Sequence, residues 1–289
     1  MGRRRVATAL GGALALASAL SATTSGCTQV LGFRQDYYEV AAEASDGSDA
    51  ITGDERSPPF CQGLTPRPAF CDDFDENELD PYGWSFAHTT TGSLALYTSE
   101  FVSWPASLLA QTNVVMSGDG TVDTSVYQTL QVNGQTFDGV LELDLRVDVV
   151  DAPGGVAVVA QFGLTDGAGG GQYNLQLVTT SNGAQPLSLQ VAEDYFAMST
   201  SGMPVDHPVS SVIPIATWTH VKLSMVVPFG GGPGTATLVI GNDPASVSAI
   251  EVPVQDFAPS IGVGILYAST PSNGWTAAFD NVVFNSASN

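Results

Sequence analysis

Carboxylates dominate the ionisable side chains of this sequence, with 29 Asp and Glu against eight Lys and Arg. The run AFCDDFDENELDPYGW, residues 69–84, contains six of them: Asp72, Asp73, Asp75, Glu76, Glu78 and Asp80. Such a cluster could supply a pair of catalytic acids, provide oxygen ligands to a cation, or mark the start of a fold. The rest of the sequence decides among these three possibilities.

A second set of carboxylates lies in GVLELDLRVDVV, residues 139–150. Apolar and charged residues alternate there, so Glu142, Asp144 and Asp148 share one face of a predicted strand. A retaining glycosidase places two carboxyl groups about 5–5.5 Å apart. Glu142 and Asp148 are the weak candidate pair for a glycan-active hydrolase or lyase. The alternative is a solvated face on which Arg146 pairs with its acidic neighbours.

Other catalytic and metal-binding motifs are absent from the sequence. It contains no Gly-x-Ser-x-Gly elbow, no His-Glu-x-x-His zinc motif and no Cys-x-x-Cys pair. The glycine runs 167–171 and 230–234 lack the lysine of a phosphate-binding loop and are typical of hairpin tips. Nucleophilic, zinc-dependent and nucleotide-dependent chemistry are therefore disfavoured.

Aromatic side chains offer a different kind of site, because sugar-binding proteins stack them on pyranose rings beside polar groups. Trp104, in the loop-like run FVSWPAS, is the best candidate for an exposed aromatic platform. Tyr127 is the next candidate, since Thr129 and Gln131 share its face of a predicted strand. Core packing is the alternative for both residues.

The elements that must position these residues are strands. Short runs of Val, Ile, Thr, Tyr and Phe alternate with polar residues and end at Gly, Pro, Asn or Asp. The clearest predicted strands are 125–132, 139–150, 156–164, 173–180, 187–192, 219–227, 235–240 and 260–268. About a dozen such strands in one domain predict an all-β fold of two stacked antiparallel sheets.

Three segments resemble parts of one family. FCDDFDENELDPYGW resembles the first strand of concanavalin A-like (LamG-like) jelly rolls, and GWTAAFDNVVF (274–284) resembles the last strand. IATWTHVKLSMVV (215–227) resembles the strand of LamG-like domains in which a Trp is followed by a Val. The resemblance implies a jelly-roll sandwich whose first and last strands are neighbours. It also implies a structural Ca²⁺ held by Asp73 (or Asp75) and Asp280.

The same fold hosts laminarinase-type and lichenase-type glycosidases, whose catalytic strand carries Glu-x-Asp-x-x-Glu. Glu142 and Asp144 match the first two positions of that pattern, but Val147 occupies the third. The resemblance therefore implies a fold without its usual acid/base residue, and Asp148 lies one position late.

The N-terminal 58 residues are predicted to target and tether the domain. Residues 1–27 have three arginines, an apolar stretch and TTSGC, which resembles the lipobox of bacterial lipoproteins with Cys27 as the lipidated residue. Residues 28–58 have the composition of a disordered acidic tether, and residues 59–289 form the folded domain. Lipoproteins with this layout resemble those of predatory soil bacteria of the myxobacterial type. An exported protein at the outer membrane or cell surface is predicted, with the lipid as its only membrane contact.

Cysteine content and charge support this prediction. Cys61 and Cys71, the pair left after Cys27, are expected to form a disulfide in an oxidising compartment. Without the leader, five basic residues face 29 acidic ones, a net charge of −24. Such a field disfavours nucleic acid and anionic lipid headgroups as partners.

Together these features predict a surface-anchored, non-catalytic recognition or structural module, with a polysaccharide or cell-surface glycan as the favoured ligand. Two alternatives stay open at this point. One is a glycan-active hydrolase or lyase with an atypical carboxylate pair, and the other is a purely structural surface protein.

Overall fold

The computed structural model describes residues 59–75, 83–114, 122–131, 135–149, 155–167, 171–181, 186–197, 205–207, 211–269 and 274–286. Within these ranges the chain forms one helical turn, α1 (Phe60–Gly63), and sixteen strands. The strands are β1 (Phe70–Asp72), β2 (Phe86–Thr89), β3 (Gly92–Tyr97), β4 (Ser107–Thr112), β5 (Thr124–Thr129), β6 (Thr136–Val149), β7 (Val156–Thr165), β8 (Gly171–Thr180), β9 (Leu187–Ala197), β10 (Val205–His207), β11 (Val212–Ile213), β12 (Thr219–Pro228), β13 (Gly232–Ile240), β14 (Ser246–Val252), β15 (Ala258–Ala268) and β16 (Thr276–Ser286).

The strands form two antiparallel sheets. Sheet A has the order β14-β13-β12-β6-β16-β4-β3, with β1 also paired to β16. Sheet B has the order β10-β9-β8-β7-β15-β5-β2, with β11 also paired to β9. The predicted all-β sandwich of two antiparallel sheets is confirmed, and the first and last strands are neighbours as the resemblance implied.

The hydrophobic core lies between the two sheets. In β6, Leu141, Leu143 and Leu145 are completely buried, as the alternation predicted. From sheet A, Phe137 lies 5.7 Å from Phe162 of sheet B between ring centroids, edge to face. These contacts give each sheet one apolar inner face and one outer face on which polar side chains can be displayed.

The acidic run 69–84 marks the start of the fold, among the three possibilities that its composition allows. The Asp72 carboxylate accepts hydrogen bonds from Trp84 Nε1 and from the backbone N–H of Phe74, 2.8 Å away for the latter. Asp73 accepts a bond of 2.8 Å from the N–H of Cys61. These acids therefore hold the beginning of the domain together, while Glu76, Glu78 and Asp80 lie outside the described residues.

The predicted disulfide between Cys61 and Cys71 is present and joins α1 to β1. Replacing both cysteines by Ala should lower the free energy of unfolding by about 2–3 kcal/mol, since the bond closes a short loop in the unfolded chain. Urea unfolding of the double variant beside the oxidised protein measures this. An unchanged unfolding midpoint would contradict it.

The predicted leader (1–27) and tether (28–58) lie outside the described residues, as does Cys27. In the part of the chain that the structure describes, no helix is long and apolar enough to cross a membrane.

Candidate active site

The weak catalytic pair proposed from the sequence, Glu142 and Asp148, lies on the outer face of sheet A. Six residues separate them along one strand, a distance of about 20 Å. Carboxyl groups that flank one glycosidic bond are about 5–9.5 Å apart. Asp148 also accepts a hydrogen bond of 2.6 Å from Arg146 Nε. These two carboxylates cannot act on one bond, which corrects that hypothesis.

The two predicted calcium ligands have separate surroundings. Asp73 is bound to the Cys61 N–H, whereas Asp280 accepts four hydrogen bonds, from the N–H groups of Val102, Ser103 and Asn281 and from the Ser103 hydroxyl. Donors at Asp280 occupy the lone pairs that a cation needs. Among the described residues, no group of three or more His, Cys, Asp and Glu could hold a metal. The calcium site stays a prediction that this arrangement does not support.

Asp280 anchors a loop on sheet A and is itself positioned by a bulge in β16. The register between β16 and β6 shifts after Asp280, where Asn281 adopts a left-handed backbone with φ of 51°. The Asn281 amide donates to Asp144, which also bonds His220 Nδ1 at 2.9 Å. Burial raises the pKa of Asp280 to about 7, even though its hydrogen bonds act in the opposite direction.

This raised pKa predicts a pH effect on stability. The folded protein holds the Asp280 proton more tightly than the unfolded chain does, because the ordinary pKa is 3.8. The stabilising contribution of this group is therefore complete below about pH 4 and is lost as the pH rises to about 7, by at most about 1.4 kcal/mol per unit. The unfolding free energy of the unsubstituted protein and that of Asp280→Asn are measured between pH 4 and pH 7. The difference between them should fall as the pH rises. A difference that is independent of pH would contradict it.

The two predicted sugar-binding aromatics lie on different sheets. Trp104 is 58% exposed and follows Ser103 in the loop that Asp280 holds against sheet A. Tyr127 belongs to β5 in sheet B, with its ring on the outer face. They cannot form one platform, so each is considered with its own surroundings.

The outer face of sheet B carries a row of residues that run across five strands. Register places Phe86 (β2) opposite Tyr127 (β5), Tyr127 opposite Gly262 (β15), Gly262 opposite Gln161 (β7), and Gln161 opposite Gln176 (β8). We call these five residues the cross-strand row. Neighbouring strands are about 4.8 Å apart, so Tyr127 and Gln161 are about 10 Å apart at their Cα atoms.

The row begins at an exposed aromatic pair and ends at buried amides. The rings of Phe86 and Tyr127 stack with centroids 4.9 Å apart, and Phe86 is 52% exposed. Gln161 and Gln176 are 4% and 0% exposed. A ligand that stacks on Phe86 would thus lie at one end of a row whose other end is polar and shielded from water.

The two glutamines have hydrogen-bonding atoms without partners. Among the described residues, both amide atoms of Gln176 and the Oε1 of Gln161 are buried and have no hydrogen-bond partner. Leaving a buried polar group unpaired costs about 1–3 kcal/mol, so native proteins rarely keep one without a reason.

Glycines leave room for the polar side chains of this face. A Cβ on Gly163 would lie 2.7 Å from Ser260 Oγ and 3.3 Å from Gln172 Nε2. A Cβ on Gly262 would lie 2.8 Å from the Tyr127 ring. Any larger residue at either position would displace these groups, so the glycines are part of how the face is built.

A Tyr–Asp–His cluster adjoins the aromatic end of the row. The Oδ2 of Asp123 accepts a hydrogen bond of 3.2 Å from the Tyr127 hydroxyl and lies 2.8 Å from His88 Nδ1, while Ser125 Oγ donates to Oδ1. Burial, followed by the nearby Asp123 charge, raises the pKa of Tyr127. Tyr127 therefore keeps its proton at neutral pH, and His88 has its Nε2 directed away from Asp123.

A separate polar cluster lies at the open side of the sandwich, in a cavity of about 450 Å³ between β9 and β10 of sheet B and β13 and β14 of sheet A. Glu193 accepts hydrogen bonds from the Tyr173 hydroxyl (2.9 Å) and the Glu251 N–H (3.1 Å), and lies 2.6 Å from His207 Nε2. Burial and the Glu193 charge raise the pKa of Tyr173 well above its ordinary value. Because Glu193 binds all three partners, this cluster ties the two sheets together.

The fold is similar to that of several solved structures. An endo-β-1,4-glucuronan lyase from the fungus Trichoderma reesei matches with a TM-score of 0.58 and 15% identity, over 76% of this chain and 96% of the other. A marine PL-14 alginate lyase from Aplysia kurodai matches with a TM-score of 0.57 and 9% identity, over 76% and 99%. The cellulose-induced protein Cip1 matches with a TM-score of 0.50 and 16% identity, over 76% and 98%. No protein-family model and no curated protein matches the chain.

At these identities the comparisons establish a jelly-roll sandwich. They also correct the leading functional prediction of a non-catalytic recognition or structural module, because lyases that act on polysaccharides share this fold. The alternative of a glycan-active lyase agrees with them better. The expectation of a carbohydrate partner is consistent with them.

Sequence reasoning found Tyr127 but missed His88, Asp123, Gln161 and Gln176. A signal for Gln176 was present, because polar residues alternate with apolar ones in QYNLQL (172–177) and this puts an amide on the outer face of a sheet, whereas Gln161 lies in the almost entirely apolar run VAVVAQFGL (156–164). The His88–Asp123 contact had no such signal, since the two residues are 35 positions apart and meet only through the pairing of β2 with β5.

Proposed function

We propose that this protein is a polysaccharide lyase that cleaves a uronate-containing glycan by β-elimination on the outer face of sheet B. The observation that carries the proposal is the Tyr127–Asp123–His88 cluster beside the exposed Phe86 ring, which brings a base, an acid and a stacking surface together. The shared fold of two polysaccharide lyases supports it.

The first chemical task is to remove the proton at C5 of the uronate. His88 is suited to be the base, since Asp123 orients its imidazole and stabilises the cation that forms on proton uptake. The negative charge that develops on the uronate carboxyl group needs hydrogen-bond donors in a site shielded from water. The side chains around His88 and Asp123 that could donate, Tyr127 and Ser125, are uncharged.

The second task is to protonate the leaving oxygen. As the bond from C4 to this oxygen breaks, the electron pair of the C5–H bond forms a double bond between C4 and C5. Tyr127 is suited to be the acid, because its raised pKa keeps the phenol protonated until strong negative charge develops on the oxygen. The exposed Phe86 ring supplies a stacking surface for a sugar.

The test is to incubate the purified protein with alginate, glucuronan and homogalacturonan, free and esterified, and to follow the ultraviolet absorbance of the conjugated double bond. We expect a rise on at least one polymer and a loss of about ten-fold or more in Tyr127→Phe, which keeps the ring stacked on Phe86 and removes the proposed proton donor. The matched variant Thr237→Val, on the outer face of sheet A, should keep full activity. Absence of the absorbance with every polymer would overturn the proposal.

We propose further that the enzyme is an exported lipoprotein at the outer membrane or cell surface, attached through Cys27. The lipobox-like sequence before Cys27 and the disulfide, which is typical of oxidising compartments, support this location. Incorporation of labelled palmitate that is lost in Cys27→Ala is the expected result. Equal labelling of both proteins would contradict it.

A further inference from the structure

The proposed site contains very little positive charge. From residue 68 to the end of the chain, Arg146 and Lys222 are the only Lys and Arg residues. Both lie on the outer face of sheet A, where Arg146 is paired with Asp148 and Glu100, and Lys222 is opposite Glu142. Sheet B therefore contributes no Lys or Arg to its own outer face.

The carboxylates on and around sheet B make its outer face still less suitable for an anion. Asp123 lies within the His88 and Tyr127 cluster, and Asp194 is opposite Asn174 in the next strand. The whole chain carries a formal net charge of −21. A polymer with a free carboxylate on every sugar would be repelled from this surface, most strongly at low salt.

The charge problem is greatest in the reaction itself. Removing the C5 proton from a free uronate adds a second negative charge to a group that already carries one. Enzymes stabilise such charge with cations or with several oriented donors. The side chains around His88 and Asp123 that could donate, Tyr127 and Ser125, carry no charge, so they match a group that is neutral before the proton is removed.

We infer that the substrate is a uronate polymer whose carboxyl groups are esterified, an inference that rests on the proposed lyase function. The ester carbonyl is neutral, and its α proton is more acidic than that of a carboxylate. His88 takes the C5 proton, and a single negative charge forms on the ester carbonyl oxygen. The electron pair then forms the C4–C5 double bond, the C4–O bond breaks, and the leaving oxygen takes the Tyr127 proton.

The experiment compares one polymer in two forms. Highly methyl-esterified homogalacturonan and the same material after de-esterification are cleaved under identical conditions, with and without added Ca²⁺, and kcat/KM is measured from double-bond absorbance. Alginate and glucuronan are compared in the same way with their chemically prepared esters. We expect kcat/KM to be at least ten-fold higher for the esterified form.

Equal or faster cleavage of the free acids, with or without Ca²⁺, would overturn this inference and leave the lyase function intact. Cleavage of no polymer in either form would overturn the proposed function itself. The two failures are therefore distinguishable.

A charge-introducing variant tests the physical reason. Gln161→Lys places a cation in the row and should shift the preference towards the free acid by at least ten-fold. The matched variant Ser224→Lys adds the same charge to the outer face of sheet A and should leave the preference unchanged. If Gln161→Lys does not fold, the salt dependence of the unsubstituted enzyme gives the answer: cleavage of the free acid, but not of the ester, should improve as salt is added. An equal response of both forms would contradict the electrostatic argument.

Discussion

Replacing His88 by Ala is expected to lower the turnover of glycan cleavage by about 10²–10⁴-fold, the usual contribution of a positioned general base. His88 lies 2.8 Å from Asp123 Oδ2 through Nδ1, and this contact fixes the ring orientation. Asp123→Asn should have a smaller effect in the same direction, because an amide neither holds the same tautomer nor stabilises the imidazolium as well. Initial rates at saturating substrate measure both effects.

The control for this prediction is a histidine elsewhere in the fold. His220 bonds Asp144 on the outer face of sheet A, so its environment resembles that of His88 while its position does not. His220→Gln should keep the activity within about two-fold, on the general base argument above. If His88→Ala has the same melting temperature as the unsubstituted protein and keeps its activity, the base lies elsewhere.

Replacing Glu193 by Ala is expected to lower the free energy of unfolding by about 3–5 kcal/mol. The change leaves the buried Tyr173 hydroxyl and the partly buried His207 Nε2 and Glu251 N–H without their acceptor. It also removes a link between β9 of sheet B and β14 of sheet A. Urea unfolding gives the size of the loss.

Glu193→Gln serves as the second variant, since it keeps the volume and one acceptor oxygen. It should lose about half as much as Glu193→Ala, and it provides the test if the Ala protein does not fold. Glu142→Ala, on the outer face of sheet A, should change stability by about 1 kcal/mol or less. A loss of that small size in Glu193→Ala would contradict the role given to this cluster.

How far the sequence predicts this molecule depends on the range of the interactions involved. The alternation that buries Leu141, Leu143 and Leu145 is local, so the strand and its inner face could be predicted. The Cys61–Cys71 bond followed from having one pair of cysteines left in a chain that is predicted to be exported. The prediction that Glu142 and Asp148 form a pair was wrong because it left out the rise of about 3.3 Å per residue, which places residues six positions apart on one strand about 20 Å apart.

The candidate site depends on pairings that no local pattern contains. Tyr127 faces Gln161 only because Gly262 of β15 lies between β5 and β7 in the sheet. The Asp280 hydrogen bonds reach Val102 and Ser103, 178 and 177 positions away. Such contacts arise from strand order, which alternating hydrophobicity leaves open.

The most direct test of the lyase function is the mass of the reaction products. Fragments released from the most rapidly cleaved polymer should include oligosaccharides that weigh one water less than hydrolysis products of the same length and carry a C4–C5 double bond. His88→Ala should release neither unsaturated fragments nor hydrolysis products at a measurable rate. Products of full hydrolytic mass, without the double bond, would contradict β-elimination as the reaction of this protein.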